Sequence, residues 1–176
     1  MDTHPASGPA PLVDTCGIAL KEWAVVCEAI ARGRQSLLLR KGGVAEGPAG
    51  FRFEHARFWL FPTRFHATAE QLTPAGAELL PELEHVPAGE VRLRRLCEVR
   101  KVWRVDKAAD LDALAGRHIL SPATVLSRFE YREPGLFVAE IEVVPSSLEH
   151  RIVDAPRFAG CHSWVELDSP LPTRTA

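Results

Sequence analysis

One stretch constrains the fold more than any other. Residues 51–66, FRFEHARFWLFPTRFH, hold five of the eight phenylalanines, one of the four tryptophans and two of the seven histidines. Phe51 and Phe53 alternate with Arg52 and Glu54, the period of a strand with one face in the core and the other in water. Phe58, Trp59, Leu60 and Phe61 are apolar without a break, so both faces of the strand they form must be covered. Pro62 cannot donate to a ladder, which predicts a strand end that delivers Thr63, Arg64 and His66 at its exit.

The chain has ample length to provide that cover. Its 176 residues are enough for one domain that buries about 70% of its unfolded surface. With 25% charged residues and a net charge of −2, any nucleic-acid role must come from a local patch. The opening MDTHPASGPAP lacks a basic segment leading into an apolar one, and no run approaches the ~18 apolar residues of a membrane span. A cytoplasmic protein without membrane association is therefore expected. Cys16, Cys27, Cys97 and Cys161 never form CxxC, which argues for free thiols over a zinc ribbon or redox pair, and neither metal nor cofactor is expected. The Pro/Ser/Thr-rich ends predict loose termini at 1–14 and 168–176 around a single globular domain at 15–167.

Leu20, Trp23, Cys27 and Ile30 recur at helical spacing before Gly33, which predicts a helix over 19–31; a hairpin turning at Arg32-Gly33-Arg34 is the rival reading. Residues 36–40 read as a short buried strand running into Lys41-Gly42-Gly43. Thr68 with Gln71 has capping-box spacing, and Thr73-Pro74 and Ser121-Pro122 have the form of helix starts. In 91–105, Val91, Leu93, Cys97, Val99, Trp103 and Val105 share one parity and Arg92, Arg94, Glu98, Arg100 and Arg104 the other, which predicts one long strand with a basic face. Asp106 is placed to cap a helix ending at Gly116. Residues 136–144 and 161–167 read as further strands. Helices and strands interleave without a βαβ rhythm, so the expected class is α+β, with a mixed, largely antiparallel sheet flanked by short helices.

Three groups of residues could carry chemistry. Arg40, Lys41, Gly42 and Gly43, with Arg57, Thr63, Arg64 and His66, combine backbone donors with guanidinium forks, the requirements of phosphate recognition, although the GxxxxGK[ST] spacing of a phosphate loop is missing. The arginine face of 92, 94, 100 and 104, with Arg128 and Arg132, could follow a phosphate backbone or simply pair with Glu140 and Glu142. Glu54, His55, His66, Cys161 and His162 contain metal-ligand and acid/base types, but singly and without HExxH spacing. Trp23, Trp59 and Trp103 read as core; Trp164, beside His162 and Ser163, is the tryptophan that could line a pocket, with a place in the core the favoured reading.

The segments ALKEWAVVCEAIARGRQSLLLRKGG (19–43), FEHARFWLFPTRFH (53–66) and FAGCHSWVEL (158–167) resemble the DUF1802 family of bacteria and archaea. Family members joined to a restriction-endonuclease type of domain imply DNA-related or defence work, and no catalytic residues carry over. A restriction nuclease core is not met, because Glu98-Val99-Arg100-Lys101 has the wrong spacing for an ExK pair. A likeness to the opening strands of Nudix hydrolases fails at the glutamate-rich helix that would hold magnesium. The best-supported reading is a non-catalytic accessory module that binds nucleic acid, a nucleotide or another phosphorylated small molecule. A small metal-dependent or divergent Nudix-like hydrolase and a protein-interaction module are the alternatives.

Overall fold

The run from Phe58 to Phe61 occupies the place that its two-sided hydrophobicity demands. In this computed structural model, which describes residues 14–41, 52–63, 67–83, 85–145 and 147–174, β3 (Arg57–Thr63) lies inside a six-stranded sheet. Phe58 and Leu60 enter one hydrophobic core with Val26, Ile30 and Leu38, while Trp59 and Phe61 enter a second with Val91, Leu93 and Phe158. A continuous apolar run is what a strand between two cores requires.

The remaining strands are β1 (Thr15–Trp23), β2 (Leu37–Arg40), β4 (Glu90–Leu93), β5 (Leu96–Val105), β6 (Leu136–Val143), β7 (His150–Val153) and β8 (Trp164–Pro172). The main sheet has the order β2-β6-β5-β3-β1-β8, and β4 and β7 form a separate two-stranded ribbon. Its neighbours are antiparallel except β1 and β3, which run parallel. The helices α1 (Ala24–Ala31), α2 (Pro74–Ala77) and α3 (Pro122–Glu130) are short, so the fold is the expected α+β with a mixed, mostly antiparallel sheet. The caps follow the sequence: Thr68 and Gln71 form a capping box, Thr73 Oγ1 accepts from Gly76 N at 3.2 Å, and Ser121 Oγ accepts from Thr124 N.

Several boundaries differ from the sequence reading. Residues 19–31 form neither one helix nor a hairpin, because β1 continues to Trp23 before α1 begins. Ala19–Trp23 is hydrogen-bonded to Trp59–Thr63, and Thr15–Leu20 to β8; ladders on both sides outweigh the helical spacing of Leu20, Trp23, Cys27 and Ile30. For the same reason β3 passes Pro62, which lies opposite Glu22 in the parallel ladder. The basic stretch at 91–105 is two strands, since the chain leaves the ribbon at Arg94-Arg95 and joins the sheet at Leu96, with a bulge between Val99 and Lys101. Asp106 pairs with Arg104 at 2.7 Å instead of capping, and a 3-10 turn, Ala108–Leu114, follows.

The C-terminal segment is also structured beyond Leu167, because β8 continues to Pro172 against β1. Thr173 closes that end: its amide donates to Asp14 O at 2.9 Å and its hydroxyl to Asp14 Oδ2 at 2.7 Å. Arg57 donates to both carboxylate oxygens of Asp14, each at 2.8 Å. These donors hold the Asp14 carboxyl well below its ordinary range, the Arg57 hydrogen bond foremost.

The packing makes two outcomes testable. A Cβ on Gly76 would meet Ile119 O at 2.8 Å and Ile119 Cβ at 2.9 Å, so Gly76→Ala is expected to cost about 1–3 kcal/mol by overpacking, read from denaturant unfolding. The stabilisation from Asp14 is present above its unfolded pKa and lost as pH falls through the depressed folded value. The difference in melting temperature between the wild type and Asp14→Asn should therefore shrink between neutral pH and about pH 2.

Candidate functional site

Polar residues gather where the strands leave the core. β1 ends in Lys21, Glu22 and Trp23, and the first two are only 9% and 3% exposed. β2 ends in Arg40. Although β6, β5 and β3 separate β2 from β1 in the sheet, Arg40 Nη1 donates to Lys21 O and to Glu22 Oε2, both at 3.1 Å. Arg40 Nη2 donates to Ser163 Oγ at 2.5 Å, in the loop before β8. Contacts across that separation require the sheet to roll so that the ends of β1 and β2 approach each other.

α3 supplies the other wall. Arg128 Nη1 donates to Leu39 O at 3.0 Å, and its guanidinium lies 4.5 Å from the centre of the Trp23 ring. The Lys41 ammonium donates to the carbonyls of Phe129 at 2.9 Å, Gly135 at 2.7 Å and Glu133, satisfying acceptors at and beyond the C-terminal end of α3. Lys21 Nζ donates to Gly160 O at 3.2 Å and lies 3.4 Å from His162 Nε2.

Between these elements is a cleft of about 300 Å³, lined by the polar residues Lys21, Glu22, Arg40, Lys41, Thr63, Arg128, His162 and Ser163, together with Trp23, Leu39 and Cys161. Four cations thus face one carboxylate among the described lining residues, in a chain whose net charge is −2. Burial lowers the pKa of Lys21 and of Arg128, because their charged forms have lost water. Burial is also the leading cause of a lowered pKa at Lys41, with the Arg104 charge adding to it.

Of the phosphate-binding set read from the sequence, the structure brings Arg40, Lys41 and Thr63 to this cleft. Arg57 does not join them: it starts β3 where Thr63 ends it, about 20 Å away at strand rise, and is held by Asp14. Gly42, Gly43, Arg64 and His66 lie outside the described residues. The arginine face is neutralised by acidic neighbours: Arg92 by Glu149, Arg94 by Glu28, Arg100 by Glu142 and Arg104 by Asp106. Arg128 turns into the cleft, and Arg132 lies over Tyr131.

Cys161 and His162, from the metal-ligand reading, are at the cleft, whereas His55 packs edge-on against Trp164 at 4.8 Å. Among the described residues no three His, Cys, Asp or Glu side chains gather as a metal site would require. The four cysteines are free thiols, and burial pushes Cys97 up to about 12. Trp164 packs on Phe58 and donates to Arg52 O, while Trp23 packs against the core as its spacing predicts and also lines the cleft. Sequence reasoning passed over Lys21, Glu22 and Ser163. The available signal was an acid and a base side by side between Leu20 and Trp23, where an apolar stretch has no ordinary use for them.

Among the described residues, no helix is long and apolar enough to cross a membrane. No curated protein matches the chain in sequence. Among solved structures it is similar to an ASCH protein of Zymomonas mobilis. A tyrosine-to-phenylalanine mutant of that protein aligns at a TM-score of 0.50 and 15% identity, over 85% of this chain and 88% of that one. A serine-to-alanine mutant of the same protein aligns at 0.48 and 12% identity, over 85% and 87% of the two chains. The likeness at 0.50 shows a shared fold. The model described as "Domain of unknown function (DUF1802)" matches residues 19–176, almost the whole chain, and the protein belongs to that family.

Proposed function

We propose that the protein is a binding module for nucleic acid or nucleotides, and that it holds a ligand phosphate in the cleft where β1, β2 and α3 meet. One observation carries the reading: Lys21, Arg40, Lys41 and Arg128 converge on about 300 Å³ with only Glu22 among them as a described counter-charge. Cations withdrawn from water at this density repel one another and lose hydration, and a bound phosphate supplies the missing negative charge with several acceptor oxygens. Glu22 and Ser163 hold Arg40 in place, which fixes its fork before a ligand arrives. Lys41 is already engaged by three carbonyls, so Lys21, Arg40 and Arg128 are the principal phosphate donors in this reading. An accessory role beside restriction or defence enzymes, which family context suggests, would use such binding.

The reading is tested by titrating purified protein with short single- and double-stranded DNA and RNA at two salt concentrations. Affinity is expected to fall with salt, and Arg40→Gln or Lys21→Met to weaken binding by about 1.5–3 kcal/mol and flatten the salt slope. Unchanged affinity and slope in both variants would sink the reading.

A pH dependence is also expected. Phosphate favours the charged form of Lys21, whose pKa is already lowered by burial. Affinity should therefore decline on the alkaline side before an ordinary lysine would titrate, and Lys21→Met should remove that component when binding is followed across pH.

A further inference from the structure

The phosphate reading leaves open what accompanies the phosphate, and this inference rests on it. The cationic cleft has a neighbour: Lys21 and Thr63 also line a second cleft of about 830 Å³. The walls of this larger cleft include Val25, Phe61, Leu83, Val86 and Phe158, with Phe61 and Phe158 edge-to-face at 5.6 Å. The two clefts therefore present recessed cations on one side of Lys21 and largely apolar surface on the other, floored by the buried Phe61 and Phe158. Inorganic phosphate or a polyphosphate has nothing to place in the second compartment. A nucleoside phosphate has a group for each, and both volumes lie in the range of about 300–1,000 Å³ found for small-molecule sites.

Recess also decides the form in which a nucleotide can enter. The Arg40 side chain is 16% exposed and Lys21 9%, so a ligand must reach inward to touch them. A base stacked inside a duplex cannot leave for the apolar compartment while its phosphate reaches Lys21, whereas an unstacked base can. The exposed arginines best placed to follow a duplex, on the face of β5, are occupied by Glu142 and Asp106.

We infer that the site takes one unstacked nucleotide, with its phosphate at Lys21, Arg40 and Arg128 and its base against Leu83 and Val86. The same chemistry is offered by a free nucleoside monophosphate and by an unpaired nucleotide within a strand. The experiment measures wild-type affinity for inorganic phosphate, for each common nucleoside monophosphate, and for the corresponding nucleosides. It also compares a duplex carrying one unpaired nucleotide with the same duplex fully paired. Either a monophosphate binding about tenfold or more tighter than both inorganic phosphate and its nucleoside, or a like preference for the unpaired duplex, is the expected result, and which of the two gains identifies the source. His85→Trp and Ala159→Trp, which crowd the larger cleft from positions outside the cationic group, should each remove that gain and leave inorganic phosphate binding unchanged. Monophosphates no tighter than phosphate together with equal duplex affinities, or full affinity in both tryptophan variants, would overturn the inference while sparing the phosphate reading. Absence of all binding, inorganic phosphate included, would overturn both.

Discussion

The Arg40 guanidinium is the contact on which the architecture of the site depends. It reaches the backbone of Lys21, the carboxylate of Glu22 and the hydroxyl of Ser163, joining β2, β1 and the loop before β8 at one point. A flat sheet would hold these strands apart, since three others lie between β2 and β1. Rolling the sheet brings the strand ends together, and the same roll creates the cleft.

Holding charge there is costly. Glu22 is 2% exposed at its side chain, and removing either member of such a pair leaves the other without compensation in a poorly hydrated place. The strand ends could have been closed by apolar residues with less desolvation, so the charges of Lys21, Glu22, Arg40 and Arg128 are kept there at a cost in stability, which the proposed phosphate binding would give a use. The ion pairs elsewhere form a useful contrast. Arg100 with Glu142 and Arg104 with Asp106 are exposed pairs that contribute little and present balanced charge to the solvent.

Lys41 shows how local sequence and tertiary structure divide the work. As the residue after a strand and before two glycines, it reads as a loop cation open to an anion. In the fold its ammonium is drawn to the carbonyls of Phe129, Glu133 and Gly135, so it anchors the end of α3 and thereby the wall that carries Arg128. Gly135 adopts a φ of 139°, a backbone conformation that residues with a side chain rarely take, so the turn that offers its carbonyl to Lys41 favours glycine.

The sequence by itself determined the fold class, the buried course of 58–61 and the caps at Thr68, Thr73 and Ser121, because each is set by local hydrophobic pattern or by side-chain groups within one turn of the backbone; the family was legible in the resemblance of three segments. Arg40 and Thr63 were also legible as strand-exit residues. Tertiary structure alone decided that 19–23 is strand, since ladders to β3 and β8 outweigh helical spacing, and that 91–105 is split between two sheets. It alone decided which cations share a site. Arg57 and Thr63 belong to one strand yet stand at opposite ends of it, while Lys21, Arg40, Arg128 and Ser163, far apart in the chain, meet because the ends of β1 and β2 approach each other.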